Sequence, residues 1–139
     1  MNTNKLIIGG LLGTVAYFIV NMVVWLTFYN NILTTHTLSG IMKSDEEANL
    51  PVLIVATLAY GFLLSYVITS KSGMNLSKGF VTGTVIGLLV NATFDLTFYA
   101  SSKIFKGYKI VLLDIVLYAF VSGIAGAVIG WQAHRSKSS

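Results

Sequence analysis

Residues 79–100 read GFVTGTVIGLLVNATFDLTFYA, a run that carries one charge, Asp95, and no proline. At 1.5 Å per residue, such a run crosses a hydrocarbon layer about 30 Å thick as one α-helix. It holds three features that the rest of the chain repeats or answers. They are small residues at Gly79, Gly83 and Gly87, an amide at Asn91, and the acid at Asp95.

Three more runs are long and apolar enough to span: Leu6 to Phe28, Pro51 to Ser70, and Val111 to Trp131. Composition agrees. Of 139 residues, 10% are charged and 55% hydrophobic, and the mean hydropathy is +0.77. A soluble domain is about a quarter charged and has too little interior to hide this much apolar surface. The sequence therefore predicts one domain, residues 1–139, folded as an all-α integral membrane four-helix bundle with the lipid bilayer as its surroundings. The first run is too long for a signal-peptide core, lacks a small-residue cleavage site, and passes into Trp25, Phe28 and Tyr29. It is read as a helix of the mature protein.

The flanks fit the same reading. Pro51 suits a first helical turn, and Ser44-Asp45-Glu46-Glu47 ahead of it has the form of a capping box. That would start the second helix outside the bilayer. Trp25, Phe28, Tyr29, Phe98, Tyr99 and Tyr108 gather at one face as an aromatic belt, and Trp131 marks the other. The nine basic residues all lie outside the apolar runs, so the net charge of +4 is membrane-flanking charge and not a nucleic-acid footprint. Lys5, Lys71, Lys78, Arg135 and Lys137 share the side of the termini, against Lys43, Lys103, Lys106 and Lys109 opposite. The small excess favours cytoplasmic termini.

The first and third runs are copies of one another. Residues 13–29, GTVAYFIVNMVVWLTFY, match residues 83–99, GTVIGLLVNATFDLTFY, at nine of seventeen positions, among them Asn21/Asn91 and the run Leu26-Thr27-Phe28-Tyr29 against Leu96-Thr97-Phe98-Tyr99. The implied architecture is a duplicated helical hairpin, residues 1–70 and 71–139, related by an axis along the membrane normal. Trp25 stands where the second copy has Asp95, so the acid is not doubled.

Two layers follow. Toward the termini lie the helix-packing candidates Gly9, Gly13, Gly79, Gly83, Gly87, Gly126 and Gly130, whose spacing puts small residues on one helix face and lets backbones approach. Toward the other side lie Asp95 and Asp114, the only acids within the spans. Asp95 falls about 8 Å from the end of the third span and Asp114 about 5 Å into the fourth. Antiparallel neighbours would bring them to one depth, with Asn91 a turn from Asp95 and Asn21 its copy in helix one. Two carboxylates away from water must share a proton or a bound cation. Asp95, Asp114, Asn91 and Asn21 are thus candidates for binding a small ion or solute. The plainer alternative has the acids reaching the interface or pairing with Lys103, Lys106 or Lys109, with Asp114 favoured by the dipole of a first helical turn and the asparagines serving as interhelical glue.

Other chemistries find no support. There is no cysteine, and His36 and His134 lack metal-ligand spacing, so no metal site and no cofactor is expected. No nucleophile and base stand at a useful spacing, and no phosphate-binding glycine loop follows a strand. Intramembrane aspartyl proteases use Tyr-Asp and Gly-x-Gly-Asp, whereas this chain has Phe94-Asp95 and Leu113-Asp114. The chain is not expected to be an enzyme.

Residues 91–100, NATFDLTFYA, then a short lysine-bearing loop, Val111-Leu-Leu-Asp114 and the closing stretch from Ser122 to Trp131, SGIAGAVIGW, resemble small four-helix bacterial membrane proteins. The resemblance is to the domain-of-unknown-function 2177 family in the Asp-Leu-Thr after an aromatic and the later apolar-apolar-Asp. In the glycine-rich ending it is to the related 1761 family. It covers about half the chain and implies a multi-pass protein of the bacterial inner membrane, without an established activity. Four spans enclose little interior, so a homo-oligomer, most simply a dimer, is expected. A second functional expectation is a non-transporting scaffold or accessory subunit, with residues 30–49 as its contact surface outside the bilayer.

Overall fold

The computed structural model describes residues 3–29, 32 and 47–136. They form four helices: α1, Thr3–Val24, which runs on as a π-helical turn over Trp25–Tyr29; α2, Leu50–Thr69; α3, Leu76–Ser101; and α4, Tyr108–Arg135. No strand occurs among the described residues. All four helices are long and apolar enough to cross a membrane. The chain is an all-α membrane bundle, with Thr3, Arg135 and the α2–α3 turn at one end and Val24, Leu50 and the α3–α4 connection at the other.

Local chemistry sets the ends. Asn49 caps α2, its side chain accepting from the Val52 amide at 3.3 Å, and Pro51 sits in the first turn where no amide hydrogen is needed. The expected capping box does not start this helix. Glu47 lies in a turn ahead of it, and Ser44, Asp45 and Glu46 fall outside the described residues. Asn75 caps α3 by accepting from the Lys78 amide at 2.9 Å. The α2–α3 turn passes through Gly73 at φ +67°, a conformation that glycine adopts without strain.

α4 begins at Tyr108, three residues before the apolar run that marked it in the sequence. Ile110 is the reason: it is buried with Val111 and Ile115, against Ala92, Phe105 and Ile32, so the helix is held by packing beyond its apolar stretch. Asp114 therefore lies about 9 Å inside the helix. No acid occupies the first turn of α4, which removes the helix dipole as the reason for Asp114.

α4 is the interior helix. It packs against α1, α2 and α3, and its contact with α3 is the most extensive in the molecule. Of its most apolar stretch 56% is buried, against 22% for each other helix. Small residues make this closeness feasible. A Cβ added at Gly79 would stand 2.9 Å from Gly130 Cα, one at Gly83 3.0 Å from Gly126 Cα, and each would be nearer still to a carbonyl oxygen of α4. Gly87 approaches Ser122 and the Tyr118 carbonyl in the same way. Where no hydrophobic force drives helices together, such contact supplies dispersion over the full helix surface.

The other side of α4 packs differently. Gly9 and Gly13 of α1 receive the Ile129 side chain, so that a Cβ at Gly13 would stand 2.5 Å from its Cδ1. Gly61 of α2 lies against Thr14 and the Gly10 carbonyl. Leu64, Ile68, Met74, Ala125, Ile129 and Ala133 close the apolar core. The outward faces of the helices, with Ile7, Leu11, Val15, Leu53, Val85, Leu89 and Val116, are exposed and suited to lipid.

The contrast between glycines is testable. Gly83→Ala must push two backbones apart and is expected to cost about 1–3 kcal/mol. Gly107, the cap of α4, has open space around it, so Gly107→Ser should leave stability unchanged or slightly higher. Unfolding in detergent followed by circular dichroism measures both, and equal behaviour of the two variants would contradict the packing described.

Candidate functional site

The glycine contact fixes a register. Gly79 meets Gly126 and Gly130, Gly83 meets Ser122 and Gly126, and Gly87 meets Tyr118 and Ser122. Each turn forward on α3 is one turn back on α4. Two further turns bring Asn91 level with Asp114 to Tyr118, and Asp95 level with Ile110 to Asp114. The two acids thus come to neighbouring depths because of packing that occurs far from them.

Both carboxyl groups are buried, with Asp95 9% and Asp114 8% exposed. Asp95 Oδ2 and Asp114 Oδ1 are fully covered and have no hydrogen-bond partner among the described residues. The loop lysines Lys103, Lys106 and Lys109 are exposed, and the apolar cluster of Ile110, Val111 and Ile115 with Phe105 packs at this end of the bundle. Neither covered oxygen is met by a lysine among the described residues.

Tyrosines furnish the rest of the site. Tyr118, one turn after Asp114, lies within electrostatic reach of both acids. Tyr17 of α1 lies within reach of Asp114, Tyr118 and Tyr60. The Tyr17 and Tyr60 rings pack with centroids 4.9 Å apart and planes tilted by 58°. Ser122 donates to the Tyr118 carbonyl at 2.7 Å, which makes the Tyr60 hydroxyl the donor in its 2.8 Å bond to Ser122 Oγ. α1, α2 and α4 therefore each bring a hydroxyl to the space on the terminus side of the acids.

The asparagines are placed otherwise. Asn91 is half-buried on α3 and donates its amide to the Gly87 carbonyl at 2.7 Å, a bond within its own helix. Asn21 is half-buried on α1, as is Trp25, the residue that falls opposite Asp95 when residues 13–29 are aligned with 83–99. His134 is exposed at the end of α4, and His36 lies outside the described residues. No three His, Cys, Asp or Glu residues come together to hold a metal ion among the described residues.

Tyr17, Tyr60, Tyr118 and Ser122 escape the sequence reading, since tyrosine in a membrane helix signals an interfacial belt first. The available signal was spacing. Asp114, Tyr118 and Ser122 recur every fourth residue and share one face of α4.

A covered carboxyl oxygen with no partner among the described residues can take up a proton or give an oxygen ligand to a monovalent cation. Asparagine keeps the shape and removes the charge. Asp95→Asn and Asp114→Asn are therefore expected to unfold at the wild-type temperature or above it. A loss of about 3 kcal/mol or more, the cost of breaking a buried ion pair, would show that a base holds them.

Comparison of the chain with curated proteins and with solved structures gave no match. The family described as predicted membrane protein, DUF2177, matches residues 5–131, nearly the whole chain. This multi-pass membrane protein belongs to the DUF2177 family.

Proposed function

We propose that the protein binds a small cation, in the simplest case a proton, at Asp95 and Asp114 and passes it along the bundle interior. The observation that carries this reading is the two covered carboxyl oxygens with no partner among the described residues. Bare carboxylates in a lipid-embedded bundle cost several kcal/mol each and persist where something is exchanged at them. Tyr118 and Tyr17 lie close enough to sense that charge. The proton is favoured over a divalent metal because the acidic ligands number two, with no third acid or histidine beside them among the described residues.

The same proposal places the protein in a bacterial inner membrane with cytoplasmic termini, as a homodimer of duplicated hairpins. The duplication draws support from a matched detail. Thr14 on α1 lies against Gly61 of the next helix, and its counterpart Thr84 on α3 lies against Gly123 of the next. Both threonines also bond the carbonyl four residues back.

In proteoliposomes loaded with a pH-sensitive dye, the wild-type protein is expected to carry protons down an imposed gradient. Asp95→Asn should cut the rate roughly tenfold or more, to near the lipid background. Equal rates for wild type and Asp95→Asn would overturn the reading. So would a wild type without flux whose Asn variant changes assembly alone, the behaviour of a scaffold or accessory subunit.

A further inference from the structure

One face of α4 carries Asp114, Tyr118, Ser122, Ala125, Ile129 and Gln132 at steps of four and three residues. That spacing keeps these side chains on one side of the helix across the width of a bilayer. Along this face Ser122 is bonded by Tyr60 of α2 and packs against Gly87 of α3, Ile129 fills the space left by Gly9 and Gly13 of α1, and Gln132 lies beside Gly9. From the connection side to the terminus side it is polar, then apolar, then polar again.

The terminus-side group is as unusual as the acids. Gln132 is 7% exposed; its Nε2 donates to Ser136 Oγ at 3.2 Å, while its carbonyl Oε1 is fully covered and has no partner among the described residues. Ser65 is wholly buried on α2 and donates to the Leu6 carbonyl at 2.8 Å, so its oxygen is left to accept. Ser65 Oγ and Gln132 Oε1 flank the same glycine: a Cβ at Gly9 would stand 2.7 Å from the first and 3.4 Å from the second. Two acceptors face one glycine notch, and Gln132 Oε1 has no donor among the described residues. A buried amide carbonyl away from water calls for one.

Between this group and Ser122 lie about 15 Å of helix. Leu64, Ala125 and Ile129 occupy that length with no accessible surface and no polar side-chain atom. Apolar constrictions of this kind exclude water and so stop ions without any charge of their own.

We propose that Ser65 and Gln132 form a second polar station for the same small cation, sealed from the Asp95–Asp114 station by a plug of Leu64, Ala125 and Ile129. The proposal rests on the cation-binding function above and adds where the path is interrupted. Ile129 is the centre of the plug, filling the notches at Gly9 and Gly13 within the buried cluster of Leu64, Ile68, Ala125 and Ala133.

The chain contains no cysteine, so single Ser65→Cys, Ser122→Cys and Ile129→Cys variants can be read by silver ion and charged thiol reagents added to either side of oriented proteoliposomes. Ser122→Cys is expected to react from the connection side alone, Ser65→Cys from the terminus side alone, and Ile129→Cys from neither. In the same vesicles Ile129→Thr, checked for folding by gel filtration, should raise proton leak about tenfold. Reaction of Ser65→Cys and Ser122→Cys from one shared side overturns the proposal. So does an inert Ser65→Cys, or a folded Ile129→Thr with wild-type leak. The thiol pattern does not depend on the acids. If Asp95→Asn leaves flux unchanged while the two serine positions react from opposite sides, the carboxylate reading falls and the divided path stands.

Discussion

A carboxyl oxygen sealed from water must have company, and two such oxygens in a four-helix bundle constrain everything around them. An uncompensated carboxylate costs several kcal/mol in a protein interior, and hydrocarbon outside offers no relief. Asp95 Oδ2 and Asp114 Oδ1 are in that position. Among the described residues no lysine bonds either covered oxygen and no third acid or histidine joins the two acids, while Tyr118 lies within electrostatic reach of both and Tyr17 of Asp114.

What confines the acids is contact made elsewhere. The helices α3 and α4 close on each other through glycine against glycine, so their register cannot slip without backbone collisions. That register carries each acid to the depth of the other. It also commits α4 to the interior, with α3 on one side and α1 and α2 on the other. The most buried helix can then offer a graded face, polar at both ends and dry between, which an outer helix facing lipid could not use. Packing and polarity are therefore coupled on this helix: Ser122 packs against Gly87 of α3 while it accepts from Tyr60 of α2, and Ile129 of the same face fills the notches at Gly9 and Gly13.

The sequence made the spans and the fold class legible, because about 20 apolar residues in a row have few other uses. It also made the acids legible, since charge in such a run stands out. The first residue of α4 was hidden. Tyr108, Lys109 and Ile110 lie outside the apolar run, and only the burial of Ile110 against Phe105 and Ala92 shows why the helix includes them. The glycine stripes announced close contact without naming the partner. Gly79, Gly83 and Gly87 meet another stripe, whereas Gly9 and Gly13 accept one isoleucine side chain. Asn91 looked like a companion for Asp95 at helical spacing, yet a carbonyl four residues back competes for its amide and wins. The buried tyrosines were hidden for a chemical reason: one residue type serves both as interface anchor and as interior hydroxyl, and sequence alone does not say which.

The most direct test concerns the company the acids keep. Infrared spectra of the purified protein in lipid, taken for the wild type and for Asp95→Asn and Asp114→Asn, separate protonated carboxyl groups from ionised ones. At neutral pH the account predicts either a protonated-carboxyl band that one of these substitutions removes, or carboxylate bands that shift when the monovalent cation is exchanged. Carboxylates that are fully ionised and indifferent to pH and to cation would mean that a fixed base accompanies them, and would contradict it.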